Sequence, residues 1–310
     1  MKSSFSTIIK IGIFLFIGIL FGVGISVYSH YRSSDGEETA HSIESFFGKR
    51  EEKIRHIEKT FSVQPNGKFI LSTNEGNVDI HTHDSNTVIV NIEAKGSDQR
   101  IDEFNVEFLQ EGNNVKIKGG VHYMSFMRWE TGDFDAHYNI TLPKKFSVSI
   151  SNKRDIKISS SDSDSENKNG ITLTNLIGEV ELGTNGSDIM VDSIIGNLEA
   201  KSLGGDIHLS SINGKIFAKT AGGDIFLKMK KYNNGVELKS SGGDINLDID
   251  KKLNAVLDFA TIGGDIECEL PIETEDKSET GMKIRGKLNN GGERIKVKTA
   301  GGDIIVKELK

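Results

Sequence analysis

Residues Gly214 to Met229 read GKIFAKTAGGDIFLKM, and this stretch decides the fold. Ile216, Ala218 and Thr220 fall on one side of an extended chain. Past two glycines, Ile225, Leu227 and Met229 continue that side. Lys215, Phe217, Lys219, Asp224, Phe226 and Lys228 face the other way. Such a unit has one apolar edge and too little chain to cover it. Stacking on copies of itself covers it.

The copies are present. Gly-Gly-Asp-Ile returns at Gly204–Ile207, Gly222–Ile225, Gly242–Ile245, Gly263–Ile266 and Gly301–Ile304, after a softer copy at Gly186–Ile189. Gly178, Gly196, Gly214 and Gly235 open the units, which read G-x-[ILV]-x-[AL]-x-[ST]-x-G-[GS]-D-I-x-[LV]. Asp188, Asp206, Asp224 and Asp244 are 18, 18 and 20 residues apart. A fixed period marks a repeat architecture. We expect an all-β fold, a narrow parallel β-solenoid with one rung per 18–21 residues. An antiparallel β-sandwich or meander is the alternative. The fixed register of Gly, Ser/Thr and Asp favours the solenoid, because identical positions then stack. The glycines are expected to supply positive-φ turns. Cys268, between Ile266 and Leu270, counts as inward, a small core residue.

Stacking brings Asp188, Asp206, Asp224, Asp244, Asp265 and Asp303 into one line. Carboxylates about 4.8 Å apart repel by roughly 0.9 kcal/mol in water, and about 3.5 at an effective dielectric near 20. Hydrogen bonds to turn amides, lysines five residues upstream (Lys201, Lys219, Lys239) or bound cations would offset this. The expectation is a structural turn-and-cap ladder, with calcium as the lesser alternative. No metal or cofactor is assigned.

Outward from the repeat, Ile11 to Tyr28 is an uncharged run of 18 residues. As a helix it spans about 27 Å, close to a bilayer's hydrocarbon core of about 30 Å. Residues 8–28 are therefore expected to engage the lipid bilayer. Residues 1–30 form a cytoplasmic stub and single-pass anchor, with the C-terminal domain extracytoplasmic by the positive-inside rule. A cleaved signal peptide is the rival reading. Residues 31–60 read as a juxtamembrane connector, with a charged amphipathic helix over 41–59. From Phe61 to Lys310 the period is two, and this is taken as the β-repeat domain. Ser151–Ile156 reads as an out-of-phase rung. Residues 159–170 and 271–290 interrupt the series, and Ile295–Val306 supplies the last rung.

Residues 61–310 carry 30 Lys+Arg against 38 Asp+Glu, an acidic balance that argues against nucleic acid and anionic lipid as partners of this domain. A single cysteine excludes an internal disulfide. Asp162, Asp164 and Glu166 begin an EF-hand-like loop that fails at Asn167 and Leu173. His81 and His83 share a strand face without a third ligand, His122 and His137 lying elsewhere. No nucleotide, hydrolase or metalloprotease motif appears, and no acid–base pair can be singled out. Tyr123, Phe126, Met127 and Trp129 form a Met- and aromatic-rich segment of the kind enriched in interface cores. They are candidates for partner contact, or a hairpin packed on the solenoid end.

The run Phe61 to Gly67 (FSVQPNG), the Thr73…Gly76-Asn77-Val78 rung, Tyr138 to Pro143 (YNITLP) and the serial T-x-G-G-D-I rungs together resemble the bacterial "putative adhesin" family of β-strand-repeat domains. The resemblance covers roughly residues 57–310. It implies a solenoid-like fold, frequent N-terminal anchoring and no established catalytic residues. Lys153-Arg154 and the insertion at 159–170 depart from the family pattern. The expected function is non-catalytic: binding or scaffolding an envelope protein or polysaccharide. A polysaccharide-acting enzyme, a self-associating scaffold and a regulator of an envelope-stress system are the alternatives.

Overall fold

The computed structural model describes residues 52–121, 134–153, 170–277 and 282–309. Residues 52–310 form one compact unit. The N-terminal anchor and the Tyr123–Trp129 segment lie outside the described residues. No helix among the described residues is long and apolar enough to cross a membrane.

In chain order the N-terminal strands are β1 (Lys53–Ser62), β2 (Gly67–Thr73), β3 (Asn77–His83) and β4 (Thr87–Gly96). One short helix, α1 (Asp98–Glu103), precedes β5 (Phe104–Glu111), β6 (Asn114–Val121) and β7 (Phe134–Pro143). Strands β8 (Phe146–Asn152), β9 (Gly170–Ile177), β10 (Val180–Thr184), β11 (Asp188–Ile195), β12 (Leu198–Ser202) and β13 (Ile207–Asn213) follow. Next come β14 (Ile216–Lys219), β15 (Ile225–Met229), β16 (Val236–Lys239), β17 (Ile245–Ile249), β18 (Ala255–Ala260) and β19 (Ile266–Cys268). The chain ends with β20 (Ile272–Lys277), β21 (Lys283–Leu288), β22 (Arg294–Lys298) and β23 (Ile304–Glu308).

These strands make two large sheets, and each repeat gives one strand to each. Sheet A has 11 strands in the order β1-β4-β7-β3-β9-β11-β13-β15-β17-β23-β19. Sheet B has 12, in the order β20-β21-β18-β22-β16-β14-β12-β10-β8-β2-β6-β5. Pairing between successive repeats is parallel and in register: Leu198, Ile216 and Val236 align in sheet B, as do Ile207, Ile225 and Ile245 in sheet A. The parallel solenoid, not the antiparallel sandwich, is the fold. Its core is the column of inward residues, with Ile207, Ile225, Ile245, Ala218 and Leu238 fully buried. Each buried Ile or Leu side chain contributes on the order of 1.5–3 kcal/mol by burial.

Alternation alone does not explain sheet A. Leu173 and Leu176, Val191 and Ile194, and Leu209 and Ile212 are all buried although three residues apart. Asn175, Ser193 and Ser211 between them have φ of 59°, 61° and 56°. One left-handed residue per rung restores the inward face, at residue types whose short polar side chains tolerate that conformation.

The rungs do not stack in chain order at either end. The β2–β3 rung lies between β6–β7 and β8–β9. The last rung in sequence, β22–β23, lies between β16–β17 and β18–β19. The segment read as a second interruption contains β20 and β21, an antiparallel pair packed on β18, and the chain then returns to fill the gap.

Two further expectations are corrected. Val148 and Ile150 are in phase, aligned with Val180 and Leu182; counting back from Asp155 misplaced them, because the partner strand of this rung is β9. The polar insertion before Gly170 thus falls within a rung, between β8 and β9. The connector is also shorter than expected. Lys53–Ser62 is a strand paired antiparallel to β4, from Lys53 opposite Gly96 to Ser62 opposite Thr87, so residues 53–59 are not helical. Its alternation of Ile54 and Ile57 with charged residues was too sparse to separate the two periods.

Candidate functional site

The repeated Gly-Gly-Asp corner of the rungs is held by two hydrogen-bond ladders. In the first, each aspartate accepts from the backbone N–H of the aspartate in the next rung. Asp206 N–H donates to Asp188 Oδ1, Asp224 to Asp206, Asp244 to Asp224, Asp303 to Asp244 and Asp265 to Asp303, each at 2.8 Å. The order follows the stacking, not the chain, since Asp303 comes between Asp244 and Asp265. A charge-assisted bond of this kind offsets the repulsion along the line. The lysines act elsewhere: Lys201 pairs with Glu199 and Lys239 with Glu237. Among the described residues, no group of three or more His, Cys, Asp or Glu is placed to hold a metal.

The second ladder uses the buried Ser/Thr position. Thr220 Oγ1 accepts from Gly223 N–H at 3.2 Å and donates to Gly205 O, one rung back, at 3.0 Å. Ser240, Thr299 and Thr261 repeat the pattern. Glycine is required here by approach rather than by φ. A methyl on Gly223 would overlap the carbonyl oxygen of Gly205, whereas one on Gly222 would meet its nearest neighbour at 3.7 Å. The left-handed glycines, such as Gly196 and Gly235, lie instead at the opposite corner, so the expectation of positive φ fails for the Gly-Gly-Asp turns.

With the corners committed to structure, the outer sheet faces remain. On sheet B, Glu181, Glu199, Phe217, Glu237 and Lys296 stand in one stacked row across β10, β12, β14, β16 and β22. A parallel row holds Lys201, Lys219, Lys239 and Lys298. A groove of about 740 Å³ runs over this face, lined by Glu199, Lys215, Phe217, Glu237, Arg294 and Lys296 among others. Lys201 and Lys239 each place Nζ 5.5 Å from the Phe217 ring centre, from the rungs on either side. Glu237 accepts from Lys239 and Lys296 at 2.8 and 3.2 Å. Those two ammonium donors hold its carboxyl below the usual range.

Sheet A presents a different face. Met190, His208, Phe226, Asn246 and Ile305 form its outward row, with His208 and Phe226 stacked at 4.5 Å and 4°. Beside it, Asp192 takes hydroxyl bonds from Ser193 and Ser210. Burial pushes this carboxyl up, but the hydroxyls of Ser193, Ser210 and Ser211 outweigh it and leave it lowered. The histidines are dispersed: His83 bonds Thr87 O at 2.7 Å, and His137 pairs with Asp79 at 3.2 Å. Cys268 is half-buried against the core, and burial raises its thiol pKa.

The sequence reading placed Lys201, Lys219 and Lys239 beside the aspartates. Parity shows otherwise: each precedes the buried Ser or Thr of its rung, as Lys298 does, and so points out of sheet B before the turn.

A family model described as Toastrack DUF4097 matches residues 68–307, nearly the whole solenoid. The chain belongs to this family. A search among curated proteins finds no match. Among solved structures, a "putative cell adhesion protein" from Clostridium sporogenes is 13% identical, with 82% of this chain and 100% of that chain covered and a TM-score of 0.37. A "putative adhesin" from Bacteroides fragilis is 13% identical, covering 81% and 97%, at 0.35. A "putative lipid binding protein" from Parabacteroides distasonis is 11% identical, covering 85% and 98%, at 0.31. Likeness of this degree says nothing of what the present chain binds.

Proposed function

We propose that this Toastrack protein is a non-catalytic, adhesin-like binding scaffold of the cell envelope. Residues 8–28 hold it in the membrane with the N-terminus cytoplasmic, and the outer face of sheet B carries the partner. One observation carries the reading. The Gly-Gly-Asp corners of the solenoid are tied to one another by internal hydrogen bonds, whereas the outer face of sheet B presents a groove of about 740 Å³ over charged side chains and a partly exposed phenyl ring. Groups that face outward in register on successive rungs suit an extended partner. Two carboxylates of the groove, Glu199 and Glu237, are paired with neighbouring lysines, which suits binding rather than acid–base chemistry.

The test compares the two faces. Full-length protein is used to retain material from native envelope extracts, alongside Phe217→Ala/Lys219→Glu on sheet B and Phe226→Ala/Lys228→Glu on sheet A. Loss confined to the sheet B variant supports the proposal. Equal retention by all three proteins rejects it.

A further inference from the structure

We infer that the outer face of sheet B binds a linear polyanion, a polysaccharide bearing carboxylate groups, laid along the solenoid axis across the rungs. This rests on sheet B being the binding face. The whole chain has a net charge of −7, yet this face runs against it. Lys201, Lys219, Lys239 and Lys298 occupy one register position on four neighbouring rungs. Lys215, Arg294 and Lys296 line the groove that runs over the same sheet. The opposing carboxylates there are Glu199, Glu237 and Glu293, while Glu179 and Glu181 mark the acidic end of the face at β10.

The lysine row is straight because the strands are parallel and in register. Neighbouring strands lie about 4.8 Å apart, so the row extends roughly 14 Å. Its members stand beside like charges. Lys201 and Lys239 have Glu199, Glu237 and the Phe217 ring as compensation. Lys219 and Lys298 are exposed and make no ion pair among the described residues. An external chain with regularly repeated anionic groups supplies the missing countercharge, and several weak contacts on one chain act together. Phe217, half-buried in the adjoining row between the ammonium groups of Lys201 and Lys239, offers an apolar edge to a sugar ring. Among the described residues, the exposed apolar side chain on sheet B, Leu109, stands on the edge strand β5, five strands from β12, and so lies away from the lysine row.

The experiment uses the full chain in detergent micelles and fluorescently labelled polygalacturonate, with neutral dextran as control. The expected result is saturable binding of polygalacturonate alone. Its affinity should fall with salt at a log–log slope of roughly −3 to −4, about one unit per engaged lysine. Lys219→Glu/Lys298→Glu lowers affinity by about tenfold or more with an unchanged circular dichroism spectrum, and Lys228→Glu/Lys307→Glu on sheet A leaves it unchanged. No binding at low salt, or wild-type binding by the sheet B variant, overturns the inference. So does binding to anionic phospholipid vesicles or to a DNA oligonucleotide without binding to the polymer. If sheet B variants still lose envelope material while polygalacturonate never binds, the ligand class is wrong and the binding face stands. If neither is lost, the binding face itself is wrong.

Discussion

The backbone N–H of Asp224 donates to Oδ1 of Asp206 at 2.8 Å, one rung away, and Oδ1 of Asp224 in turn accepts from Asp244. Each aspartate therefore satisfies a neighbour's amide and not its own turn. Asp224→Ala leaves the Asp244 amide unmatched and should cost about 1–2 kcal/mol in urea unfolding. Asp224→Asn keeps an acceptor oxygen and should cost less than half as much. Equal losses for the two variants would show that the carboxylate charge, not its acceptor, matters.

The paired glycines should separate cleanly. Gly223→Ala forces a methyl onto the Gly205 carbonyl, and the rungs must part locally. About 1–3 kcal/mol of destabilisation is expected, as for other overpacked sites. Gly222→Ala meets its nearest neighbour at 3.7 Å and should stay within about 0.5 kcal/mol of wild type. Thermal or urea midpoints of the pair decide it.

Ile304 lies near the C-terminus of the chain, yet it is fully buried and paired with Ile245 on one side and Ile266 on the other. Ile304→Ala should therefore cost as much as Ile225→Ala in the middle of the repeat, about 2–5 kcal/mol. In hydrogen exchange, β23 should be protected like β15, while β1, mostly exposed at the sheet A edge, opens early. Early exchange of β23 would contradict the inserted rung.

Asp192 gives the fold an acid limit. Its carboxyl is lowered from 3.8 in the folded state by serine hydroxyls that outweigh burial. Its stabilising contribution is thus present above the unfolded value and lost as pH falls through the folded one. Asp192→Asn should lower the urea midpoint at neutral pH, and the gap from wild type should narrow below pH 3.8. A gap that persists unchanged to about pH 2 would assign the loss to packing instead.

The N-terminal run at 8–28 and the Tyr123–Trp129 segment lie outside the described residues. Within the described residues, the Gly-Gly-Asp-Ile repeat determined by itself that the fold is a stacked β architecture. Period two sorts inner from outer side chains, and an 18-residue period leaves room for one strand in each of two sheets. The same parity, applied to the residue before each buried Ser/Thr, already put Lys201, Lys219, Lys239 and Lys298 on one face. The tertiary structure alone decided three things. It decided that Asp303 stands between Asp244 and Asp265, because rung order depends on which open edge the returning chain meets. It decided that Gly223 is a matter of contact, because the neighbouring carbonyl belongs to another rung. It decided that Lys298 stands next to Lys239, because β22 reaches β16 only when the chain returns past β18 and β21.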